Sequence, residues 1–260
     1  MRRSFFIVSL VVLLTGCFEI EQSINLKQDL SGTADFHLGI DMEPMVVVMA
    51  QFAKEMEGKK GPLTADELAK AKAEFKKSAT SKKSGAPEKA ELDRAEINKG
   101  LPEGVKLLDF KATDREFGIA TDFKFGFERV NQLINVKLPG KEGGDPTQAN
   151  VIDSPFEGLE VIEKGNTITV QTKPQNPTES VKEQAAEAPK LDAETEKMVK
   201  DAFGKMRVVY RITAPFAVVS HNADRREGNT LIWEYNLEKF EKLEKSKNLD
   251  DAGVKVVYRR

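Results

Sequence analysis

Cys17 is the only cysteine in this chain of 260 residues, and its surroundings are those of a processing site. It follows the small residues Thr15 and Gly16, and the apolar Leu14 precedes them. Upstream lie two arginines and an apolar run that begins at Phe5. A basic start, a short apolar run and small residues at the end form the pattern of a secretory signal. A run of about ten apolar residues is too short to cross a bilayer as a helix.

This segment resembles the bacterial lipobox, in which an apolar residue, two small residues and a cysteine are processed together. The resemblance implies that Cys17 receives diacylglycerol and that Leu14, Thr15 and Gly16 are recognised by the signal peptidase. Residues 1–16 would be a cleaved signal peptide, and residues 17–260 an extracytoplasmic domain anchored in the cell membrane or the outer membrane. Two or three acyl chains, at about 0.8 kcal/mol per buried methylene, hold a protein on a membrane durably. An ordinary secreted protein and an uncleaved anchor are the alternatives.

The remaining residues show no pattern of catalysis or metal binding. The two histidines, His37 and His221, have no metal-ligand partner at a useful spacing, so we interpret both as structural. Nucleophile-elbow, zinc-protease and phosphate-loop patterns do not occur in the sequence. We therefore expect a non-enzymatic protein with no metal and no cofactor. A hydrolase whose residues meet only in space is the minority alternative.

Composition favours a folded domain that does not bind nucleic acid. Hydrophobic residues make up 40% of the chain and include 15 phenylalanines, enough for a core. Removal of residues 1–16 takes away two of the 40 basic residues and leaves the 42 acidic ones. A mildly acidic chain argues against a nucleic-acid partner, since such proteins carry clustered Lys and Arg.

The first part of the mature chain predicts a hairpin, an apolar helix and a helical insertion. Residues 18–27 and 33–40 alternate apolar and polar side chains around a turn at 29–32, in which Gly32 is free to take a positive φ. A helix follows with Pro44 in its first turn, and its Met45, Met49 and Phe52 belong either to the core or to a contact with an apolar ligand. Residues 58–100 are rich in Lys and Glu and form a solvated insertion.

Within that insertion, Thr64 and Glu67 have the spacing of a capping box that starts a helix, and a further helix is predicted at 88–99. The lysines of the insertion indicate either an exposed face or contact with anionic headgroups.

Strict alternation over residues 117–127 is the strongest strand signal in the chain. It places Phe117, Phe123 and Phe125 on one face, where they pack against a helix or line a ligand cavity. This strand pairs with residues 104–112 across a break at 113–115. Residues 130–138 fit either a helix or a strand.

The last part of the chain predicts further strands and one helix. A third hairpin is expected over residues 159–172, a flexible loop at 174–190 and a helix at 192–206. Further predicted elements are a strand at 207–213, an antiparallel pair formed by residues 215–223 and 229–237, a helical patch at 239–247 and a final strand at 254–258.

The two ends of the mature chain resemble LppM-type bacterial lipoproteins. The carrying residues are the opening segment 17–40 and a closing unit with Pro215, Asn222, Gly228 and Trp233. The resemblance implies an α+β fold: a curved, mostly antiparallel sheet of β-hairpins with packed helices, for which lipid binding is expected. We therefore expect a membrane-anchored envelope lipoprotein that binds a lipid or another apolar ligand. The alternative is a structural partner of another envelope protein, docked through helices at 64–99 and 191–206.

Overall fold

The computed structural model describes residues 17–59, 61–80, 94–138, 154–172, 206–246 and 253–260, with Lys197 and Gly204 as isolated positions. Over these ranges the chain is a mixed α+β structure with a seven-stranded and a four-stranded sheet, both mostly antiparallel, which confirms the predicted fold class. The predicted curvature of the sheet stays a prediction. The predicted signal peptide, the predicted loop at 174–190 and nearly all of the predicted helix at 192–206 lie outside the described residues.

The strands are β1 Cys17–Leu26, β2 Gly32–Asp41, β3 Val105–Arg115, β4 Gly118–Phe127, β5 Leu159–Lys164, β6 Thr167–Thr172, β7 Arg207–Thr213, β8 Ala217–His221, β9 Arg225–Glu227, β10 Thr230–Asn236 and β11 Lys255–Arg259. The helices are α1 Glu43–Met56, α2 Ala65–Thr80, α3 Arg94–Lys99 and α4 Leu237–Ser246. The larger sheet has the order β3-β4-β2-β1-β7-β10-β9 and the smaller one β5-β6-β11-β8.

The predicted first hairpin is confirmed as β1 and β2, but its turn differs from the prediction. The positive φ lies at Leu30 (65°) and not at Gly32. Asp29 holds the turn, because its carboxylate accepts hydrogen bonds from the backbone N–H and the hydroxyl of Ser31 at 3.0 and 2.7 Å. Gly32 is needed for another reason: a Cβ there would lie 1.9 Å from the carbonyl oxygen of Asn25.

The core contains the aromatic face of β4, as the alternation predicted. Phe123, Phe125 and Phe127 are buried and pack with Phe36 and Phe156. The predicted break at 113–115 is wrong, because β3 continues to Arg115 and the turn falls at residues 116–117. Thr113, Asp114 and Arg115 are polar, but edge strands accept polar residues on their exposed side, so composition alone misplaced the turn.

The predicted pairing of residues 215–223 with 229–237 is wrong. Strand β8 pairs with β11 in the smaller sheet, whereas β10 pairs with β7 and β9 in the larger one. The residues expected to form the turn make β9 instead. Asn222 lies where the chain passes between the sheets: its Oδ1 accepts hydrogen bonds from Trp233 Nε1 at 2.7 Å and from the Lys255 N–H at 2.8 Å. The final strand is confirmed as β11, between β6 and β8.

Two local predictions about helices are settled. The ambiguous segment at 130–138 contains a 3-10 helix, Val130–Asn135, with Leu133 fully buried. The capping box is confirmed at the start of α2: the Glu67 carboxylate accepts the Thr64 N–H at 2.8 Å, and the Thr64 hydroxyl accepts the Glu67 N–H at 3.3 Å. The helix predicted at 88–99 is described from Arg94 as α3.

Candidate functional site

Cys17 is the first residue of a strand that is paired from its first position. It lies opposite Asp41 of β2, and Asp41 in turn lies opposite Gly118 of β4. Gly118 is paired with Arg115 of β3. These four residues form one row across the sheet, which we call the anchor row. The backbone of Cys17 therefore lies at this end of the seven-stranded sheet.

Helices α1 and α2 meet the turn between β3 and β4 at the anchor row. The backbone N–H of Met42 donates to the Phe117 carbonyl at 2.7 Å, which joins the start of α1 to this turn. The ring of Phe117 lies 6.3 Å from that of Phe75 in α2, and Lys76 Nζ lies 5.0 Å from its centroid. These are ordinary aromatic and cation-π contacts, and they fix α2 against the turn.

Two ion pairs also stabilise this contact between the two helices and the turn. Lys72 of α2 pairs with Glu43 at the first position of α1, and Lys76 pairs with Glu116 in the turn. Lys76 also lowers the pKa of Glu116, by hydrogen bonding first and by its charge second. We call Glu43, Lys72, Lys76, Glu116 and Phe117 the helical clasp. It ties the helices to the end of the sheet at which Cys17 lies.

The opposite ends of α1 and α2 are also tied together. Lys54, near the C-terminus of α1, places its Nζ 2.7 Å from Glu67 Oε2 in the first turn of α2. The hydrogen bonds from Lys54 and Thr64 lower the pKa of Glu67 from 4.5 to about 2. The two helices therefore run antiparallel, with a charged contact at each end.

A polar groove of about 630 Å³ lies on the face of the seven-stranded sheet opposite the aromatic core. His37 is one of its lining residues, with Nδ1 2.6 Å from Asp122 Oδ1 and Nε2 3.8 Å from Glu19 Oε2. The guanidinium of Arg115 lies over Gly39, since a Cβ there would approach it to 3.1 Å. The groove is lined by Glu19, Glu21, Ser23, Asp35, Phe36, His37, Asp109, Arg115, Asp122, Phe123 and Lys124.

An arginine on β7 extends the charged surface beyond the groove. Arg207 contacts Glu21 at 3.0 Å, Glu19 at 3.5 Å and Glu234 at 3.4 Å, and so links β1, β7 and β10. Arg211 adds a contact of 2.7 Å to Glu21. Because carboxylates and cations alternate here, the surface suits a polar or zwitterionic group better than an acyl chain.

The structure does not bring the six predicted apolar contacts into one site. Phe123 and Phe125 lie in the core with ring centroids 6.0 Å apart, and Phe117 lies in the helical clasp. The other three are on α1, where Met45 and Phe52 are half-buried and Met49 is 45% exposed. Contact of any of them with a ligand stays a prediction. Leu14, Thr15 and Gly16 lie outside the described residues.

From the sequence, His37 was interpreted as structural, and Asp122 and Glu19 were not singled out as site residues. The three are far apart in the chain and meet only through the register of β1, β2 and β4. Ser23 lines the same groove, but the Nε2 of His37 faces Glu19. His221 has a local role, because its Nδ1 accepts the Ala223 N–H at 3.1 Å. Polar residues at alternate positions of predicted strands were the available signal for the groove.

In the described part of the chain, no group of three or more His, Cys, Asp or Glu side chains is arranged to hold a metal ion. None of the helices described is both long and apolar enough to cross a membrane.

The chain has few detectable similarities to known proteins. No known protein family matches the sequence, and no curated protein matches it significantly. A similar solved structure is the NMR structure of the folded domain of the LppM protein of Mycobacterium tuberculosis. It aligns with a TM-score of 0.43 and 11% sequence identity, over 94% of this chain and 91% of that chain. At this level the likeness defines neither a family nor a ligand for this chain.

Proposed function

We propose that this protein is a bacterial envelope lipoprotein: an extracytoplasmic domain anchored through lipid on Cys17, which acts by binding and not by catalysis. One observation carries the proposal. The lipobox-like sequence ends at the single cysteine, and that cysteine is also the first residue of an interior strand of the sheet. A folded domain that begins at the modified residue is held directly at the membrane surface.

The sequence motifs support the same proposal. Leu14, Thr15 and Gly16 have the residue types that the lipoprotein signal peptidase accepts, and Cys17 supplies the sulfur that carries diacylglycerol. We further propose that the domain is LppM-like, on the residues of its opening and closing segments. The closing motif has a structural role, since its Asn222 and Trp233 are hydrogen-bonded to each other at 2.7 Å.

For the ligand, we propose a lipid that is recognised by its polar part. The groove around His37 is charged, and its lining includes Arg115 of the anchor row and Glu19 of β1. A strand rises about 3.3 Å per residue, so Glu19 lies about 7 Å along β1 from Cys17. The groove thus lies within reach of a lipid headgroup, and the exposed Met49 on α1 offers an apolar contact outside it.

Substitution of Cys17 tests the anchor. In a bacterial host, Cys17→Ser is expected to leave an unprocessed precursor, whereas the natural protein yields a mature form whose N-terminal peptide carries the mass of an acylated cysteine. Ser23→Ala serves as the control, since it leaves the processing site unchanged. Normal maturation of Cys17→Ser would refute the lipobox assignment.

Native mass spectrometry and lipid-dependent melting test the ligand. The purified protein is expected to retain lipid, and Asp122→Ala, which removes the partner of His37, is expected to reduce that retention. Ile162→Ala is the matched control, because Ile162 is exposed on the other sheet. Repeated purification without lipid, together with a melting temperature that does not respond to added lipid, would contradict the proposed ligand.

A second candidate function is attachment to another envelope protein, and the four-stranded sheet favours it. Ile162 and Val219 are 42% and 47% exposed, and the paired Thr169 and Val257 lie between their strands. Exposed β-branched side chains on a sheet face suit a protein contact. A photoreactive residue at Val219 should then crosslink to one partner in intact membranes, whereas the same residue at Asp29 should not. Equal labelling at both positions would argue against this candidate.

A further inference from the structure

We propose that the anchored end of the seven-stranded sheet, with the helical clasp, rests on the phospholipid headgroups, while the β1–β2 turn at residues 27–31 points away from the membrane. This orientation depends on the lipidation of Cys17 that the proposed function assigns. It adds to that function the surface through which the domain meets the bilayer.

The direct connection between the lipidated Cys17 and the sheet is the first reason for this orientation. Acyl chains on Cys17 must enter the hydrocarbon, yet the backbone of Cys17 is already paired with Asp41. A flexible spacer of n residues would let a domain wander about 5–6 Å × √n from its anchor. Here no spacer separates the lipid from the sheet, so the anchor row is held at the level of the headgroups.

The topology is the second reason. The turn at Glu116 and Phe117 connects two strands that both end at the anchor row, so it lies beyond that row. Helix α1 likewise begins just after Asp41, beyond the end of β2. The helical clasp therefore lies past the row, on the side away from the body of the sheet. The turn at the other end of β1 lies about nine residue steps away, or about 30 Å.

The charges of the clasp indicate which headgroups it meets. Lys72 and Lys76 are paired with Glu43 and Glu116, and Lys70 lies 3.9 Å from Glu74. Because each of these three lysines has a carboxylate partner, they give the clasp no cationic excess to attract anionic lipid. The acyl anchor supplies the attachment, and a zwitterionic surface is sufficient for it. Lys70, Lys72 and Lys76 are thus assigned to internal ion pairs and not to anionic headgroups.

Spin labels at the two ends of the sheet test the orientation. Acylation blocks the thiol of Cys17, so an introduced cysteine is the only free thiol of the mature protein. Glu116→Cys labels the clasp at a side chain that is 68% exposed, and Asp29→Cys is the distal control on an exposed turn. In phosphatidylcholine vesicles, the nitroxide at position 116 should be several-fold less accessible to a water-soluble relaxation agent than the one at position 29. In detergent micelles, which have no bilayer plane, the ratio of the accessibility at position 29 to that at position 116 should fall.

The outcomes separate this proposal from the proposed function. Mass spectrometry of the N-terminal peptide comes first: an unmodified Cys17 overturns both the anchor and the orientation. If Cys17 is acylated but the two labels are equally accessible, the orientation is wrong and the anchor stands. Stronger protection at position 29 would overturn the orientation as well.

A spacer variant tests whether the direct connection between Cys17 and the sheet causes this orientation. Ten Gly and Ser residues inserted between Cys17 and Phe18 give a root-mean-square reach of about 17 Å. This insertion should make position 116 as accessible as position 29, and persistent protection at 116 would overturn the tether argument. For the test with anionic lipid the label is moved to Ala73→Cys, an exposed uncharged position of α2, because Glu116→Cys removes the carboxylate partner of Lys76. Phosphatidylglycerol added to the vesicles should leave the accessibility of this label relative to position 29 unchanged. A clear rise in protection with anionic lipid would overturn the assignment of the clasp as a neutral contact.

Discussion

Cys17 and Asp41 face each other as the terminal pair of β1 and β2. Strand β1 is an interior strand, because it is also paired in parallel with β7. The proposed lipid would therefore be attached to a strand with neighbours on both sides. Such a strand cannot be pulled from the sheet without breaking two ladders, so the attachment point is mechanically firm.

The first prediction concerns the junction between the two sheets. Asn222→Ala should lower the free energy of unfolding by about 2 kcal/mol, because it leaves the indole N–H of Trp233 without an acceptor. Trp233 is fully buried and is the only tryptophan, so its fluorescence reports the transition in urea. Asn222→Asp is the control: it keeps the acceptor oxygen and loses the hydrogen bond to the Gly253 carbonyl. An equal loss in both variants would contradict the assigned role of the oxygen.

The second prediction distinguishes core packing from ligand contact. Phe125 is fully buried and lies 6.1 Å from Phe156 between ring centroids, so Phe125→Ala should cost about 3–5 kcal/mol of unfolding free energy. Met49→Ala removes a side chain that is 45% exposed, and we expect a loss below about 1 kcal/mol. Urea unfolding measures both. A stable Phe125→Ala variant with impaired lipid retention would instead favour the cavity interpretation.

Local elements of this fold could be predicted because their signals are local. The alternation in residues 18–40 and 117–127 is visible in the sequence, and the first hairpin is closed by a short turn, so pattern and pairing coincide. The pairing of β8 with β11 could not be predicted in this way. It joins residues 217–221 to 255–259 and depends on the contacts of Asn222, which no periodicity reveals.

Within the candidate site, the sequence pattern marks only the proposed anchor at Cys17. Cys17 is marked by the small residues before it, whereas His37 and Asp122 are marked by nothing except their place on alternating strands. Their contact at 2.6 Å follows from the exact register of β2 with β4. A shift of one residue would turn one of them to the opposite face, so the groove cannot be assembled before the register is known.

The third prediction is a pH dependence at the start of α2. The pKa of Glu67 is lowered from 4.5 to about 2 by its hydrogen bonds to Lys54 and Thr64. Since the pKa is lower in the folded state, the stabilisation is fully present above pH 4.5 and is lost as the pH falls towards 2. The protection factors of residues 65–70, which correct for the intrinsic pH dependence of amide exchange, should therefore fall over this range. Glu67→Gln should exchange faster already at pH 6 and show a weaker additional response, and an unchanged response in that variant would contradict the assignment.

The fourth prediction concerns the arginine that joins β1, β7 and β10. Arg207→Leu removes a cation shared by Glu19, Glu21 and Glu234 and leaves their negative charges close together. These side chains are half-exposed, so we expect a loss of about 1 kcal/mol in unfolding free energy. Raising the salt concentration should shrink the difference from the natural protein, because mobile ions screen the repulsion among the carboxylates.

Arg211→Leu is the matched control for this charge network. Arg211 lies on β7 together with Arg207 and contacts Glu21. Its removal should therefore lower the free energy of unfolding less than the removal of Arg207. The double variant should show a coupling energy, since both arginines act on Glu21. Urea titrations at low and high salt measure all three variants. If the two single losses were equal, independent of salt and strictly additive, Arg207 would act through packing of its aliphatic stem and not as the shared cation of β1, β7 and β10.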